Sequence, residues 1–220
     1  MRPILRVPPP ASLFATSFPG TEDPLSQSAA FRTAVNFYKA PRSTPGKCFG
    51  NGTTDNFDDA VAQLVNPSFG AGDYEITATI FRQGGYSPGV SHEVGLYLDL
   101  FINNANPSNT LVSGFEMLFP YDSTSFQIFR WEGVNHAFPD NFTQLSPTAQ
   151  NGGLANVQNG DVLKAKLVGN NITVTQNGTV KYTLAGITRS GSGGPGMGFY
   201  VNTGATAANY CISSYAVQRL

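Results

Sequence analysis

The sequence predicts an all-β protein, an antiparallel sandwich or barrel with no long helix. Three observations carry this. First, Asp161 to Val201 reads as a run of short strands with one apolar face each. Second, charged residues make up only 12% of the 220-residue chain, with Gly, Asn, Ser and Thr in their place. That composition suits strands and turns. Third, no amphipathic pattern of three helical turns occurs anywhere, and no internal repeat.

In the first of these, Leu163, Ala165 and Leu167 share a face, as do Ile172 and Val174, and then Val180, Tyr182 and Leu184. A period of two means strands with one buried side. Gly169-Asn170 and Asn177-Gly178 separate the runs. Both suit tight hairpin turns, because Asn and Gly tolerate positive φ. The stretch is thus an antiparallel meander, followed by a Gly/Pro-rich loop and an apolar strand, GMGFYV.

Taken in order, residues 1–11 form an extended arm, since Pro3, Pro8, Pro9 and Pro10 disfavour a hydrogen-bonded ladder. Residues 12–220 are expected to form one domain, a length that suits a single sandwich. Leu13 to Phe18 is the first strand. Ala29, Phe31, Thr33, Val35 and Phe37 alternate along a second. Residues 40–57 are expected to be a loop. Ala60 to Val65 and Tyr74 to Phe81 follow as strands. The longest strand is Ser91 to Ile102, in which His92, Val94, Leu96, Leu98, Leu100 and Ile102 form the core face. Glu93, Gly95, Tyr97, Asp99 and Phe101 form the other. Leu111 to Phe119 and Ser125 to Glu132 come next. Residues 133–160 read as a long excursion, of the kind that is functional or interfacial. Asn209 to Val217 closes the fold.

The formal net charge of -1 leaves no basic patch for phosphates, which argues against nucleic-acid binding. No apolar run approaches the ~20 residues that span a bilayer. MRPILRVPPPASL lacks the apolar core of a secretory signal. Cys48 and Cys211 are too few for a disulfide framework; one bridge and two buried thiols are both open, the thiols being the simpler reading. Asp55, Asp58 and Asp59 make the most acidic short segment. Oxygen-rich loops hold Ca2+, but this spacing fits no EF-hand, and a solvated turn is the simpler reading. No His/Cys ligand cluster, phosphate loop or Ser-His-Asp spacing is present. The four Asn-X-Thr sequons are expected by chance in so Asn- and Thr-rich a chain.

The run GDVLKAKLVGNNITVTQNGTVKYTL, then GGPGMGFYV, then NYCISSYAV resembles the C-terminal half of concanavalin A-like lectin/glucanase domains, the LamG-like jelly rolls. FATSFPGTEDPLS resembles their opening strand and GDYEITATI an early core strand. The resemblance implies a concanavalin A-like β-sandwich. Its members include lectins, glycan-binding modules, glycosidases, lyases and accessory domains on phage and virus particles, so it does not decide the function.

Glycosidases of this fold carry an ExDxxE or ExDxE acid pattern, which is absent. Glu93 and Asp99 share a strand face but stand ~20 Å apart at ~3.3 Å per residue, against the ~5–9.5 Å that glycosidase pairs need. If Ser91–Ile102 and Leu111–Phe119 pair with Glu116 opposite Tyr97, then Asp99 and Glu116 become diagonal neighbours ~7–8 Å apart. Those two are the weak catalytic candidates. A one-residue slip removes the pair. Lyases of the fold use an Arg/Gln/His/Tyr cluster, and neither His92, on the apolar face, nor His136, in the excursion, suggests one. Sugar-binding candidates are Tyr97, Asp99, Phe101, Arg130 and Trp131 on the sheet, with Tyr86, Asn135 and His136 from loops. Aromatic rings stack on sugars and amides bond hydroxyls. The other reading is that Trp131 and Phe129 are packing residues.

The expectation is therefore a non-catalytic, lectin-like sandwich that is a surface component of a larger assembly, with a phage or virus particle as its setting. It would be homo-oligomeric, meeting other subunits through the 1–11 arm and the 133–160 excursion, and facing a glycan elsewhere. A free carbohydrate-binding module is the alternative, and a polysaccharide-cleaving enzyme the next.

Overall fold

The computed structural model describes residues 12–26, 29–34, 40–50, 60–84, 92–105, 111–121, 126–134, 142–146, 157–201 and 207–220. The arm, the Asp55/Asp58/Asp59 loop, Tyr86, Asn135, His136 and most of the 133–160 excursion lie outside them.

Among the described residues fifteen strands occur in chain order: β1 (Ser12–Thr16), β2 (Phe31–Thr33), β3 (Arg42–Thr44), β4 (Lys47–Phe49), β5 (Ala60–Leu64), β6 (Tyr74–Arg82), β7 (His92–Asn103), β8 (Leu111–Pro120), β9 (Gln127–Val134), β10 (Phe142–Gln144), β11 (Val162–Val168), β12 (Asn171–Gln176), β13 (Thr179–Ala185), β14 (Gly194–Val201) and β15 (Tyr210–Arg219). A single 3-10 turn, Ala207–Asn209, is the only helical element among the described residues. The strands form two antiparallel sheets. One runs β13-β12-β11-β6-β15-β4-β3, with β1 also on β15; the other runs β10-β9-β8-β7-β14-β5-β2. This is a concanavalin A-like jelly-roll sandwich.

The expected meander is present. β11, β12 and β13 pair in sequence, with Ala165 opposite Val174 and Val174 opposite Tyr182. Asn177 (φ 51°) and Gly178 (φ 78°) turn the second hairpin, as a primed turn requires. The Asn177 side chain ties this turn to the start of β11, accepting from Val162 N at 2.9 Å and donating to Asp161 at 2.8 Å.

Three local expectations are corrected. Residues 40–57 hold the β3–β4 hairpin rather than only loop, because Pro45-Gly46, with Gly46 at φ 81°, forms a tight turn between them. β2 is only three residues long, and residues 35–39 lie outside the described set. A short strand, β10, occupies part of the expected excursion.

One continuous core lies between the sheets. From the first sheet come Tyr74, Ile76, Ala78, Leu163, Ala165, Ile172, Val174, Tyr215 and Val217. From the second come Val94, Leu96, Leu98, Phe115, Met117, Phe119, Ile128, Met197 and Phe199. These are the alternate residues of each strand, as period-two patterning demands.

Cys48 and Cys211 are free and buried. The register places Cys48 opposite Ile212, so Cys211 points to the other side of the same sheet. Cys48 packs inward, its sulfur 3.7 Å from Met197 Sδ of the opposing sheet. The Cys211 thiol donates to the Ala208 carbonyl at 2.9 Å. Burial pushes both thiols up, Cys211 to about 12, so neither is a ready nucleophile.

Candidate functional site

The face of the seven-stranded sheet turned away from the core carries the chemistry. On β7 this is the side of Gly95 and Tyr97; on β8, of Val112, Gly114, Glu116 and Leu118. Tyr97 stands opposite Glu116, and Glu116 opposite Phe129. The alternate residues of β14 on this face are Gly194, Gly196 and Gly198, and the reason is steric. A Cβ on Gly198 would lie 2.6 Å from Tyr97 Cε2, and one on Gly196 would lie 2.3 Å from Leu100 Cδ2. The glycines of the PGMGF segment thus make a floor on which the Tyr97 ring and Leu100 lie. Gly95 does the same for Glu116, whose Oε1 would be 2.5 Å from an added Cβ.

Glu116 is the central polar group and is only 5% exposed. Trp131 Nε1 donates to its Oε2 at 2.8 Å, and Tyr97 also hydrogen-bonds to it. Burial raises its pKa to about 7, with these two hydrogen bonds pulling the other way. Burial disfavours the charged form, and donors to the carboxylate favour it; here burial wins. Beside it, Trp131 is half-buried, and its ring meets Phe142 at 5.5 Å between centroids. Phe142 in turn meets Phe129 edge-on at 4.9 Å. The register sets this row, since Trp131 is opposite Gly114 on one side and Phe142 on the other.

Asp99 does not join Glu116. It forms a β-bulge: three steps of β7, Leu98 to Phe101, oppose two of β8, Phe115 to Ser113. The extra residue takes φ 51°. Its backbone N–H donates to Tyr74 Oη of the opposite sheet at 2.7 Å. Its carboxylate accepts from the N–H groups of Ser190 and Gly193 in the β13–β14 loop. Asp99 is therefore a loop anchor.

The bulge also reverses the alternation beyond it. Leu100 and Ile102 move to the face of Tyr97, where they cluster with Val61, Val112 and Ala34. Phe101 moves off that face, so the expected grouping of Tyr97, Asp99 and Phe101 is corrected. Arg130 alternates to the side opposite Trp131 and pairs with Glu132 at 2.8 Å. Of the candidates, the structure brings together Tyr97, Trp131 and Glu116, and adds Phe142, which sequence reading left inside the excursion. His92 is buried against Tyr210, ring centroids 4.2 Å apart.

No second carboxylate faces Glu116 at catalytic range among the described residues. Glu93 shares the face, but stands four residues along β7 from Tyr97, ~13 Å at ~3.3 Å per residue, outside the ~5–9.5 Å of glycosidase pairs. No group of three or more His, Cys, Asp or Glu able to hold a metal occurs among the described residues. No helix there is long and apolar enough to cross a membrane.

No family model matches the chain, and no curated protein sequence matches it. Solved structures do. The carbohydrate recognition domain of Emp46p, in its potassium-bound form, is 12% identical with a TM-score of 0.54, covering 92% of this chain and 94% of its own. An endo-1,3-beta-glucanase from Streptomyces sioyaensis is 9% identical with a TM-score of 0.53, covering 100% and 99%. The carbohydrate binding module CBM66 from Bacillus subtilis is 12% identical with a TM-score of 0.50, covering 86% and 92%. At such identities the likeness establishes the concanavalin A-like lectin/glucanase fold, which both binding modules and glycosidases adopt.

Proposed function

We propose that this chain is a non-catalytic glycan-binding sandwich, with its sugar platform at Trp131 and Phe142, beside the buried Tyr97 and Glu116. The observation that carries this reading is the half-buried Trp131. Its ring is tethered by the bond to Glu116 and flanked by Phe142, on the face away from the core. A pre-positioned aromatic ring offers an apolar surface to the C–H face of a sugar at little entropic cost. The carbohydrate-binding neighbours lend support. A glycan array probed with the full chain tests the reading. Bound glycans are expected, and Trp131→Ala is expected to weaken them at least tenfold while the chain stays folded. An array with no bound glycan, or one unchanged by Trp131→Ala, would overturn it.

The second reading is a glycosidase, favoured by the Glu116 carboxyl held near pH 7, where general acids operate. It lacks a partner acid among the described residues. Release of reducing ends from a polysaccharide, lost in Glu116→Gln, would establish it; the expected result is none.

The setting we propose is the surface of a larger assembly, a phage or virus particle. The Pro-rich residues 1–11 and the stretch 133–160 would meet other subunits, including copies of this chain. Support comes from the composition of those segments. The mass in solution is expected to be that of an oligomer, falling to a monomer when residues 1–11 are removed. A monomer in both cases would discard this setting and leave the glycan platform standing.

A further inference from the structure

A second concavity lies at one end of the seven-stranded sheet, where β2, β5 and β14 meet the end of β7. It measures about 170 Å³ and is lined by Arg32, Gln63, Phe69, Phe101, Ser192 and Gly194, among others. A dry cavity of ~150 Å³ admits one benzene ring, so this pocket suits one six-membered ring rather than an extended chain.

Its one charged side chain is a donor, Arg32, with the Gln63 amide beside it. Gln63 is 5% exposed, a polar residue in an otherwise apolar β5. Its Oε1 is fixed by the N–H of Ile102 at 3.1 Å. That bond sets the orientation of the amide and leaves Nε2 on the side of Gly194, which lines the pocket. Gly194 lies against both: a Cβ there would stand 3.7 Å from Gln63 Nε2, an ordinary contact, and a tight 3.0 Å from the Leu64 carbonyl. Arg32 lies beside Gln63 on the neighbouring strand. One guanidinium nitrogen donates to the Ile102 carbonyl at 3.0 Å, which leaves the others for a ligand. Ser192 adds a hydroxyl. No Asp or Glu lines the pocket among its described residues. Asp99 lies nearby, but its carboxylate is occupied by Ser190 N and Gly193 N. The half-exposed Phe101 also lines it, as does Phe69.

An arginine fork next to a buried amide donor, without a competing acid, selects an anionic acceptor, and a carboxylate fits such a fork. An aromatic wall adds a surface for an apolar ring face. We infer that this pocket binds a single carboxylate-bearing sugar unit. The inference extends the glycan-binding reading but uses none of the platform residues, so the two fail separately.

The test uses the full chain and two sugars that differ only at C6, methyl β-glucuronide and methyl β-glucoside, followed by titration calorimetry or amide chemical shifts. The glucuronide is expected to bind at least tenfold more tightly than the glucoside. Arg32→Gln is expected to weaken the glucuronide at least tenfold. Gln63→Glu, which keeps the acceptor for Ile102 N and replaces the donor by a negative charge, should weaken it as much. Trp131→Ala should leave it unchanged. Melting curves of each variant show that it is folded. Equal binding of the two sugars, no binding of either, or indifference to both pocket variants would overturn the inference. So would acetate or inorganic phosphate binding as tightly as the glucuronide, which would reduce the pocket to a general anion site. Loss of array binding in Trp131→Ala with retained glucuronide binding separates this pocket from the platform.

Discussion

Gly193→Ala is expected to lower the unfolding free energy by about 4 kcal/mol or more, a large share of the ~5–15 kcal/mol that holds an ordinary domain folded. The added Cβ would lie 2.1 Å from the Asp99 carbonyl oxygen and 2.2 Å from its carbon. Both are backbone atoms, so no rotamer change relieves the clash. The backbone there cannot easily retreat either. On another side it meets Gly114, whose own Cβ would stand 2.9 Å from the same oxygen, and its N–H is tied to Tyr74 Oη. Overpacking against movable side chains typically costs ~1–3 kcal/mol; a rigid bulge pressed between two strands and a loop exceeds that range. Gly20→Ala is the control, since nothing lies within 4 Å of its Cβ position. Urea titration of both variants measures the difference. A loss below about 1 kcal/mol in Gly193→Ala would mean that the bulge is not fixed as described.

The second large effect is a pH dependence set by Glu116. Its folded-state pKa of about 7 lies above its ordinary value of 4.5. As pH rises, the unfolded chain releases this proton first, so the folded state loses relative stability between those two values. The loss is complete once the folded-state group has also ionised. A shift of this size corresponds to about 3 kcal/mol. Glu116→Gln has no proton to lose, so the stability difference between wild type and variant isolates this group from other carboxylates. The variant is expected to gain about 3 kcal/mol on the wild type between pH 4 and pH 8, measured by urea unfolding at each pH. A difference independent of pH would show that Glu116 is ionised in both states at the same pH, and hence not buried as described.

Most of the framework was legible because it is written in local patterns. The meander follows from alternation plus Asn177-Gly178, whereas the Tyr97–Glu116 register is one of several that alternation allows for β7 and β8, and the structure selects it. What alternation could not foresee is the point where it breaks. Alternation makes the acid inside the apolar run LYLDLFI one more outward residue, whereas Asp99 is an inserted step that reverses the side chains of β7 after it. Its partners, Gly114, Gly193 and Ser190, are distant in sequence, so no window contains the signal. The Trp131–Glu116 bond is similar. Both residues were singled out for different reasons, yet their contact depends on the β8–β9 register. Gln63 left a fainter trace, as the one polar residue in AVAQLV, and its use became visible only with Ile102 and Arg32 around it.

β15 has a consequence for the order in which the protein can be made. It lies inside the eight-stranded sheet, pairing with β6 along one edge and with β4 and β1 along the other. Those partners are synthesised well over a hundred residues earlier, and until residues 210–219 clear the ribosome the sheet is three separate pieces, β13-β12-β11-β6, β4-β3 and β1, with bare edges between them. Folding during translation must therefore wait, and the early strands, with Phe14, Phe31 and Ile76 beside the site that Tyr215 and Val217 will fill, depend on remaining unpaired with neighbouring chains during that interval.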